Sequence, residues 1–412
     1  MKKACIISIG NELLNGCSID TNTAWLARRL FVMNIATAAS FTVPDEADAI
    51  VRALAAASDC GGIILVTGGL GPTGDDITRD AFAAFTGAEL ELRPELLSSI
   101  KAFFNSRGAE MPRDNEIQAY IPRGCEAMEN PLGTAPGIFA RTGGRIYALM
   151  PGVPSEMKAI FEGFLEERLK PFADGVYMSE RTLRCFGAGE SMVHQMLGDM
   201  CRRGRNPQVN CTVSGSVITL QILASAQSRT EADDMADSDE AAIRRLLGEL
   251  VFGSGTQKLA DSAGSLLKSR GETVATAESC TGGLIAKMLT DFPGASSYFK
   301  QGWVCYSNDA KITQLQVDPE IIERFGAVSE QTAAAMSRSA RRIAAADYAV
   351  SVTGIAGPGG GSEEKPTGLV YIGLDSETEN LVQRFIFHGD RAAVRLRTAQ
   401  TALNMLRLRL GV

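Results

Sequence analysis

Short apolar, β-rich runs that stop at glycine-rich turns and give way to helical stretches recur toward both ends of this 412-residue chain. Residues 4–9, 36–43, 62–67 and 145–150 read as strands. Residues 21–33, 45–57, 76–85 and 155–169 read as helices, the first capped by Asp20 or Thr21. The rhythm returns after residue 255, with a helix over 257–269, strands over 273–277, 302–305 and 348–352, and a closing helix over 390–408. Such alternation predicts a parallel sheet with helices on both faces. Ligands of such sheets bind beyond the carboxyl ends of the strands, where the glycine runs fall. The texture between the two stretches differs. A strand over 181–186, a helix over 190–200, strands over 208–213 and 217–224, and an acidic helix over 230–248 predict a small α+β unit. The fold class expected is therefore α/β, with two α/β domains over 1–172 and 255–412 joined by a small α+β domain over 173–254.

Composition narrows the function classes. A net charge of -7 gives no general attraction to a polyanion. The one basic run, Arg202-Arg203-Gly204-Arg205, lacks the G-x-x-G loop that clamps a nucleic-acid backbone, and residues 231–240 are acidic. Nucleic acid is not the expected partner. No apolar run approaches the roughly 20 residues that span a bilayer, so no membrane is expected either. The opening MKKACIISIG reads as a first strand, not a signal peptide. Nine cysteines stand singly, without a C-x-x-C, and only two histidines occur. That argues against a disulfide framework or a His-rich metal centre and for a reducing, cytoplasmic compartment.

The densest chemical signal is Thr276-Ala277-Glu278-Ser279-Cys280-Thr281-Gly282-Gly283. A strand ends there and a helix begins, which puts Ser279 near unpaired helix amides and the positive end of the dipole. Those amides suit a nucleophile, since they can hold the oxyanion formed by its attack. A serine hydroxyl needs a base, and His388 lies far along the chain. The run Tyr306-Ser307-Asn308-Asp309-Ala310-Lys311 offers a lysine, which can take the serine proton once burial lowers its pKa. On spacing alone, the better readings are a helix cap for Ser279 and a solvated charge for Lys311. A second element runs Thr353-Gly354-Ile355-Ala356-Gly357-Pro358-Gly359-Gly360-Gly361-Ser362 after an apolar strand. Its amides could form an anion nest, or the run could be a plain flexible loop.

In the first half, Thr67-Gly68-Gly69-Leu70-Gly71-Pro72-Thr73-Gly74-Asp75-Asp76-Ile77-Thr78 joins a strand to a helix, the usual seat for a phosphate. Asp75 and Asp76 would repel an anion, unless a divalent cation sits between their carboxylates and the phosphate oxygens. Helix capping by the aspartates is the plain alternative. Further polar turns are Gly10-Asn11-Glu12-Leu13-Leu14, Asn115, Gln118, Asn130, Gly133-Thr134-Ala135-Pro136-Gly137 and Pro151-Gly152-Val153-Pro154-Ser155-Glu156-Met157.

Together with Tyr306-Ser307-Asn308, Gly326-Ala327-Val328-Ser329, Gly354-Ile355-Ala356-Gly357-Pro358 and Gly361-Ser362-Glu363-Glu364-Lys365-Pro366, the Thr276–Gly283 run closely resembles the CinA C-terminal family. That family includes the nicotinamide-nucleotide amidohydrolases called PncC. The resemblance implies hydrolysis of nicotinamide mononucleotide to nicotinic acid mononucleotide and ammonia, without a cofactor. It implies Ser279 as nucleophile, Lys311 as its base and Tyr306 as a supporting hydroxyl. Thr281, Gly282, Gly283 and the loop carrying Gly354, Ile355, Ala356, Gly357 and Gly361 would lie against the nucleotide.

The first-half motifs resemble the N-terminal domain of CinA proteins, itself similar to the molybdopterin-binding fold of MoaB and MogA. In some members this implies a metal-dependent ADP-ribose pyrophosphatase. Gly68, Gly69, Gly71 and Asn22 would meet the substrate, and Asp75, Asp76, Glu12 and Glu156 a divalent metal cation. Asn11 stands where many relatives have aspartate. The competing expectation is a binding module that holds a pterin or nucleotide without catalysis. The middle segment resembles the family's KH-like domain, a spacer or dimer contact, and a homodimer is the assembly expected. A role as a partner protein in competence or DNA damage is the third reading.

Overall fold

Six consecutive buried residues, Ala4–Ile9, form the first strand, β1, and alternate between two cores. Cys5, Ile7 and Ile9 pack with Ile50, Leu54 and Phe82 on one face of the sheet. Ala4 and Ile6 pack with Leu26, Leu30, Met157 and Phe161 on the other. Helices therefore do cover both faces, as a strand's period of two requires when both sides are apolar. The structure, a computed structural model, describes residues 3–172 and 175–411. One unit comprises the chain up to Ser179 with Ser225–Ala232, the other Glu180–Ala224 with the chain from Asp233 onward.

The first unit's strands are β1, β2 (Thr37–Val43), β3 (Ile63–Thr67), β4 (Leu90–Leu92), β5 (Tyr120–Pro122), β6 (Glu126–Met128), β7 (Gly137–Thr142) and β8 (Arg145–Met150). Their main sheet has the order β2-β1-β3-β8-β7-β6, and β4 and β5 form a separate ribbon. β2, β1, β3 and β8 are parallel, but β7 runs antiparallel to β8 and β6 antiparallel to β7. The expected all-parallel sheet is corrected here. Gly143 and Gly144, with φ of 56° and 71°, fold β7 directly back onto β8 in a two-residue turn that only residues tolerant of positive φ can make.

Helix starts also moved for local reasons. The helix expected from residue 76 begins at Thr78, because Asp75 and Asp76 belong to the preceding loop. Asp20 caps the helix Thr21–Val32, accepting the Thr23 N–H. The stretch after β8 starts at Pro154 and contains a π-helical turn, Phe161–Leu165, before Glu166–Leu169. A helix over Pro94–Asn105 was not expected from the pattern.

The middle segment forms a sheet of β9 (Tyr177–Cys185), β10 (Gln208–Ser214), β11 (Val217–Ala226) and β12 (Val251–Ser254) in the order β10-β11-β9-β12. Helices Glu190–Leu197 and Arg229–Leu247 accompany it. Glu180–Ala224 and residues 233–254 of this segment fall within the same unit as the C-terminal half. Arg407, wholly buried on the last helix, donates to the Glu249 carbonyl at 2.6 Å and ties the two together.

The C-terminal sheet contains β13 (Val274–Glu278), β14 (Phe299–Val304), β15 (Tyr348–Gly354), β16 (Leu369–Asp375) and β17 (Asn380–Ile386) in the order β14-β13-β15-β16-β17. Its first three strands are parallel, and β16 and β17 are antiparallel. Helices Leu259–Arg270 and Arg391–Arg409 cover one face, and Glu330–Ala344 the other. The carboxyl ends of β13, β14 and β15 share one edge, where Ser279, Tyr306 and Ile355 emerge. Among the described residues no helix is long and apolar enough to cross a membrane.

Candidate active site

Ser279 is the first residue beyond β13, and its N–H donates to the Val352 carbonyl of β15 at 3.0 Å. The chain then turns tightly. The Gly282 N–H closes onto the Ser279 carbonyl at 3.0 Å, and Gly282 and Gly283 hold φ of 60° and 89°. Larger residues are strained in that region, so the turn requires glycine. Only after it does the helix Leu284–Thr290 begin, with Gly283 and not Ser279 at its cap.

The leading amides of that helix are not offered to Ser279. Glu278, wholly buried, takes the Ile285 N–H at 3.1 Å and the Ala286 N–H at 2.8 Å. A carboxylate there satisfies both the orphan donors and the dipole. The expectation that these amides cradle an oxyanion is corrected accordingly. The turn itself offers another donor: Thr281 is wholly buried, and its hydroxyl has no hydrogen-bond partner among the described residues.

Lys311 reaches Ser279 from the helix Asn308–Leu315, which follows β14 and is capped by Ser307 accepting the Ala310 N–H at 3.0 Å. Its Nζ lies 3.3 Å from Ser279 Oγ. It also donates to the carbonyls of Cys305 at 2.9 Å, Ser307 at 3.4 Å and Tyr306 at 3.5 Å. Lys311 is 1% exposed and Ser279 8%, so neither is a solvated surface group. Burial pushes the lysine below its ordinary pKa, and no carboxylate bonds to it among the described residues. A neutral amine in this place can accept the Ser279 proton along the contact that the ammonium now makes as donor. Cys280, the stronger nucleophile by nature, is disarmed. Burial pushes its thiol up to about 12, which keeps it protonated and inert near neutrality.

Tyr306 stands at the rim, half-exposed, and its hydroxyl accepts from Arg391 Nη2 at 2.7 Å. The other arm of that guanidinium donates to the Gly357 carbonyl at 2.9 Å, which ties the Gly354–Gly361 loop to the same rim. One turn further along the helix, Arg395 donates to the Thr281 carbonyl at 2.7 Å through Nη2. Ser279, Thr281, Gly282, Tyr306, Lys311 and Gly357 are thus brought together. The loop is held at both ends: the Ile355 N–H donates to Leu369 O at 2.8 Å, and a Cβ on Gly361 would meet the Thr367 amide at 2.7 Å.

Glu278, Arg391 and Arg395 were not anticipated. The signal was present in Asp390-Arg391-x-x-x-Arg395, since two arginines four apart share a helix face. They sit at the helix end where the dipole disfavours cations, so local stability is not what places them there.

The N-terminal crevice opens at the carboxyl ends of β1, β3 and β8. Gly68, with φ 105°, presses against Ile9, and its N–H donates to the Met150 carbonyl at 3.0 Å. A Cβ on Gly69 would collide with the Thr78 hydroxyl, and one on Gly71 with the Asp76 carboxylate. Asn22 Nδ2 donates to the Gly152 carbonyl at 2.8 Å, and Gly152 packs on Gly68.

The acidic residues behave differently from the expected metal set. Asp76 accepts from the Thr73 N–H at 2.9 Å and its hydroxyl at 2.6 Å, and Asp75 also accepts from that hydroxyl. The Thr73 hydrogen bond holds the Asp75 carboxyl below its usual range. Glu12 folds back over Gly10, and Glu156 accepts from Asn130 at 2.7 Å beside Gly133. Among the described residues, no three Asp, Glu, His or Cys side chains converge as a ligand set. These carboxylates form no cage by themselves, so a hard cation here would need a ligand's phosphate oxygens to complete its shell.

Sequence comparison divides the chain into three family domains. Residues 5–171 match the "Probable molybdopterin binding domain", 180–253 the "Damage-inducible protein CinA KH domain" and 256–410 the "CinA C-terminal domain". A relative from Alkaliphilus metalliredigens, whose name refers to competence-damage induction, is 41% identical over 408 residues, covering 99% of each chain. A CinA-like protein from Dictyoglomus thermophilum is 40% identical over 402 residues, covering 98% of each. The solved structure of the competence/damage inducible protein CihA from Agrobacterium tumefaciens is 45% identical. It covers 37% of this chain and 94% of its own, with a TM-score of 0.36. On the strength of family models spanning the chain and of relatives matched end to end, the protein belongs to the CinA family.

Proposed function

We propose that the C-terminal site hydrolyses the carboxamide of nicotinamide mononucleotide, with Ser279 as nucleophile and Lys311 as its base. The observation carrying this reading is a buried lysine 3.3 Å from a buried serine hydroxyl, with no carboxylate bonded to the lysine among the described residues. Ser279 Oγ attacks the amide carbon as Lys311 takes its proton. The tetrahedral intermediate collapses as Lys311 returns that proton to the nitrogen, and ammonia leaves. Water then attacks the resulting ester with the same lysine as base, releasing nicotinic acid mononucleotide and free Ser279. The Thr281 hydroxyl supplies a donor to the oxyanion, and Tyr306, polarised by Arg391, orients the substrate at the rim.

Product analysis tests this reading: nicotinamide mononucleotide should yield ammonia and nicotinic acid mononucleotide in equal amounts, without added metal. Arg391 and Arg395 place two positive charges beside the turn of an acidic chain, which suits the substrate's phosphate. A hydrogen bond to a charged group contributes about 1.5–3 kcal/mol. Arg391→Met is therefore expected to reduce discrimination against nicotinamide riboside, which lacks the phosphate, by about ten- to a hundredfold in kcat/KM. Unchanged discrimination would remove Arg391 from phosphate recognition.

For the N-terminal crevice the reading is a site for a pyrophosphate-bearing nucleotide, supported by the Gly68–Gly71 loop at the carboxyl end of β3. ADP-ribose is the substrate to test, with AMP and ribose 5-phosphate as products in added divalent metal. If the crevice is catalytic, Asp76→Asn should lower ADP-ribose turnover by about tenfold or more while the fold is kept. Binding without product under any metal would make the domain a binding module.

A further inference from the structure

Strand alternation gives the middle sheet two different faces. Leu183, Cys185, Ile218, Leu220 and Val251 point into a core with Val193, Leu197, Ile243 and Leu247 of that segment's own helices. Their neighbours Arg184, Val217, Thr219 and Phe252 therefore point the other way. Val217 and Phe252 join the core of the C-terminal half, beside Leu259 and Leu403. Between this face and the C-terminal helices lies a cavity of about 260 Å³, and all of its lining belongs to a single unit. The tip of the β10–β11 hairpin, Gly215-Ser216 with φ of 54° and 67°, closes against the last helix, where a Cβ on Gly215 would meet Leu396 at 3.3 Å.

The walls are apolar at Val217, Phe252, Met288 and Leu396, but Arg184 and Gln400 also line the cavity, from opposite sides. Arg184 Nη1 donates to the Thr219 hydroxyl at 2.9 Å, which leaves Nε buried and without a partner among the described residues. Gln400 Oε1 is likewise buried and unpartnered, and it shares a face of the last helix with Leu396 and Leu403. Buried polar atoms without a partner are rare in folded chains, and each needs a reason. Here a donor on the sheet wall and an acceptor on the helix wall face one cavity. At its rim Asp291 is held by Lys287 at 2.6 Å, while Lys258 adds a second positive charge to that of Arg184.

We propose that this cavity is a second ligand site, which takes a small cyclic carboxylic acid carrying an N–H or O–H donor at its far end. The carboxylate accepts from Arg184 Nε in a charge-assisted bond, the ring packs on Val217, Phe252 and Met288, and the far donor meets Gln400 Oε1. The volume lies just below the roughly 300–1,000 Å³ of pockets for drug-sized ligands, so the occupant is small. A rigid ring also buries the apolar walls at the least cost in ordering. The site stands behind the Ser279 turn. Met288 lies on the helix that begins at that turn, and Arg395, next to Leu396, donates to the Thr281 carbonyl. An occupant thus bears on both helices that shape the turn, and the middle segment supplies half of a binding site and is more than a spacer.

The test is calorimetry on the full chain with para-aminobenzoate as the probe, benzoate as the acid without the far donor and aniline as the donor without the acid. Wild type should bind para-aminobenzoate saturably, at least fivefold more tightly than either control. Arg184→Met should weaken that binding at least tenfold. Gln400→Leu should abolish the preference over benzoate and leave the affinity for benzoate itself unchanged. Because Gln400→Leu removes a buried acceptor that has no partner, its melting temperature should not fall, so it decides the matter even if Arg184→Met folds poorly. No saturable binding to wild type, equal affinity for benzoate, or a preference that survives in Gln400→Leu would overturn the proposal. Binding lost in Arg391→Met instead would put the probe at the Ser279 rim and overturn it too.

Discussion

Ser279→Ala is expected to lower ammonia release from nicotinamide mononucleotide by about four orders of magnitude or more, the scale seen when a nucleophile that works with its own base is removed. The fold should survive. Among the described residues the Ser279 side chain hydrogen-bonds to Lys311, while the turn is held by its backbone, through Val352 and Gly282. Cys280→Ala should keep activity within a few-fold, since a thiol pushed up to about 12 carries almost no thiolate near neutrality. Steady-state assays of the two variants, with circular dichroism to verify folding, separate the neighbours. A dead cysteine variant beside a working serine variant would reverse the assignment.

Lys311→Met is expected to abolish turnover to a similar extent and yet raise the melting temperature. The wild-type fold holds an ammonium that is 1% exposed and has no bonded carboxylate among the described residues. Burial lowers its pKa, so the unfolded chain binds this proton more tightly than the folded one does. The sign follows. Below the folded pKa the buried charge penalises the fold by a constant amount. As pH rises from the folded pKa toward the ordinary lysine value, that penalty fades and stability recovers. Methionine is neutral throughout and should remove both the penalty and its pH dependence. Activity should climb over the same range in the wild type, because only the neutral amine can take the serine proton. Melting curves and kcat/KM measured across alkaline pH check both limbs. Lys311→Arg, which cannot lose its proton, should be inactive at every pH.

Much of the framework was legible because strands such as Ala4–Ile9 are apolar on both faces and end at glycines. The serine and the lysine drew attention as residues following strands of one sheet, and the family resemblance supplied their roles and that of the tyrosine. The antiparallel additions were missed for a physical reason. β6 is three residues long, too short for alternation to register, although Gly143-Gly144 between two β-rich runs was a hairpin signal. Glu278 was hidden because a glutamate at a strand end looks solvated, and only the tertiary turn brings it under the helix amides. Arg391 and Arg395 lie more than a hundred residues from Ser279 in sequence, and only the closing helix, packed across the sheet, delivers them. The aspartates of the N-terminal loop show the converse. Asp75 and Asp76 read naturally as ion ligands, and the Thr73 hydroxyl lies within hydrogen-bond reach of both.

The central claim is a covalent ester on Ser279. Acid-quenching the enzyme during turnover of nicotinamide mononucleotide, followed by peptide mass mapping, reads it directly. The account predicts the mass of the nicotinoyl nucleotide, less water, on the hydroxyl of Ser279, and its absence in Ser279→Ala. The same mass on Cys280 or on Lys311 would contradict it.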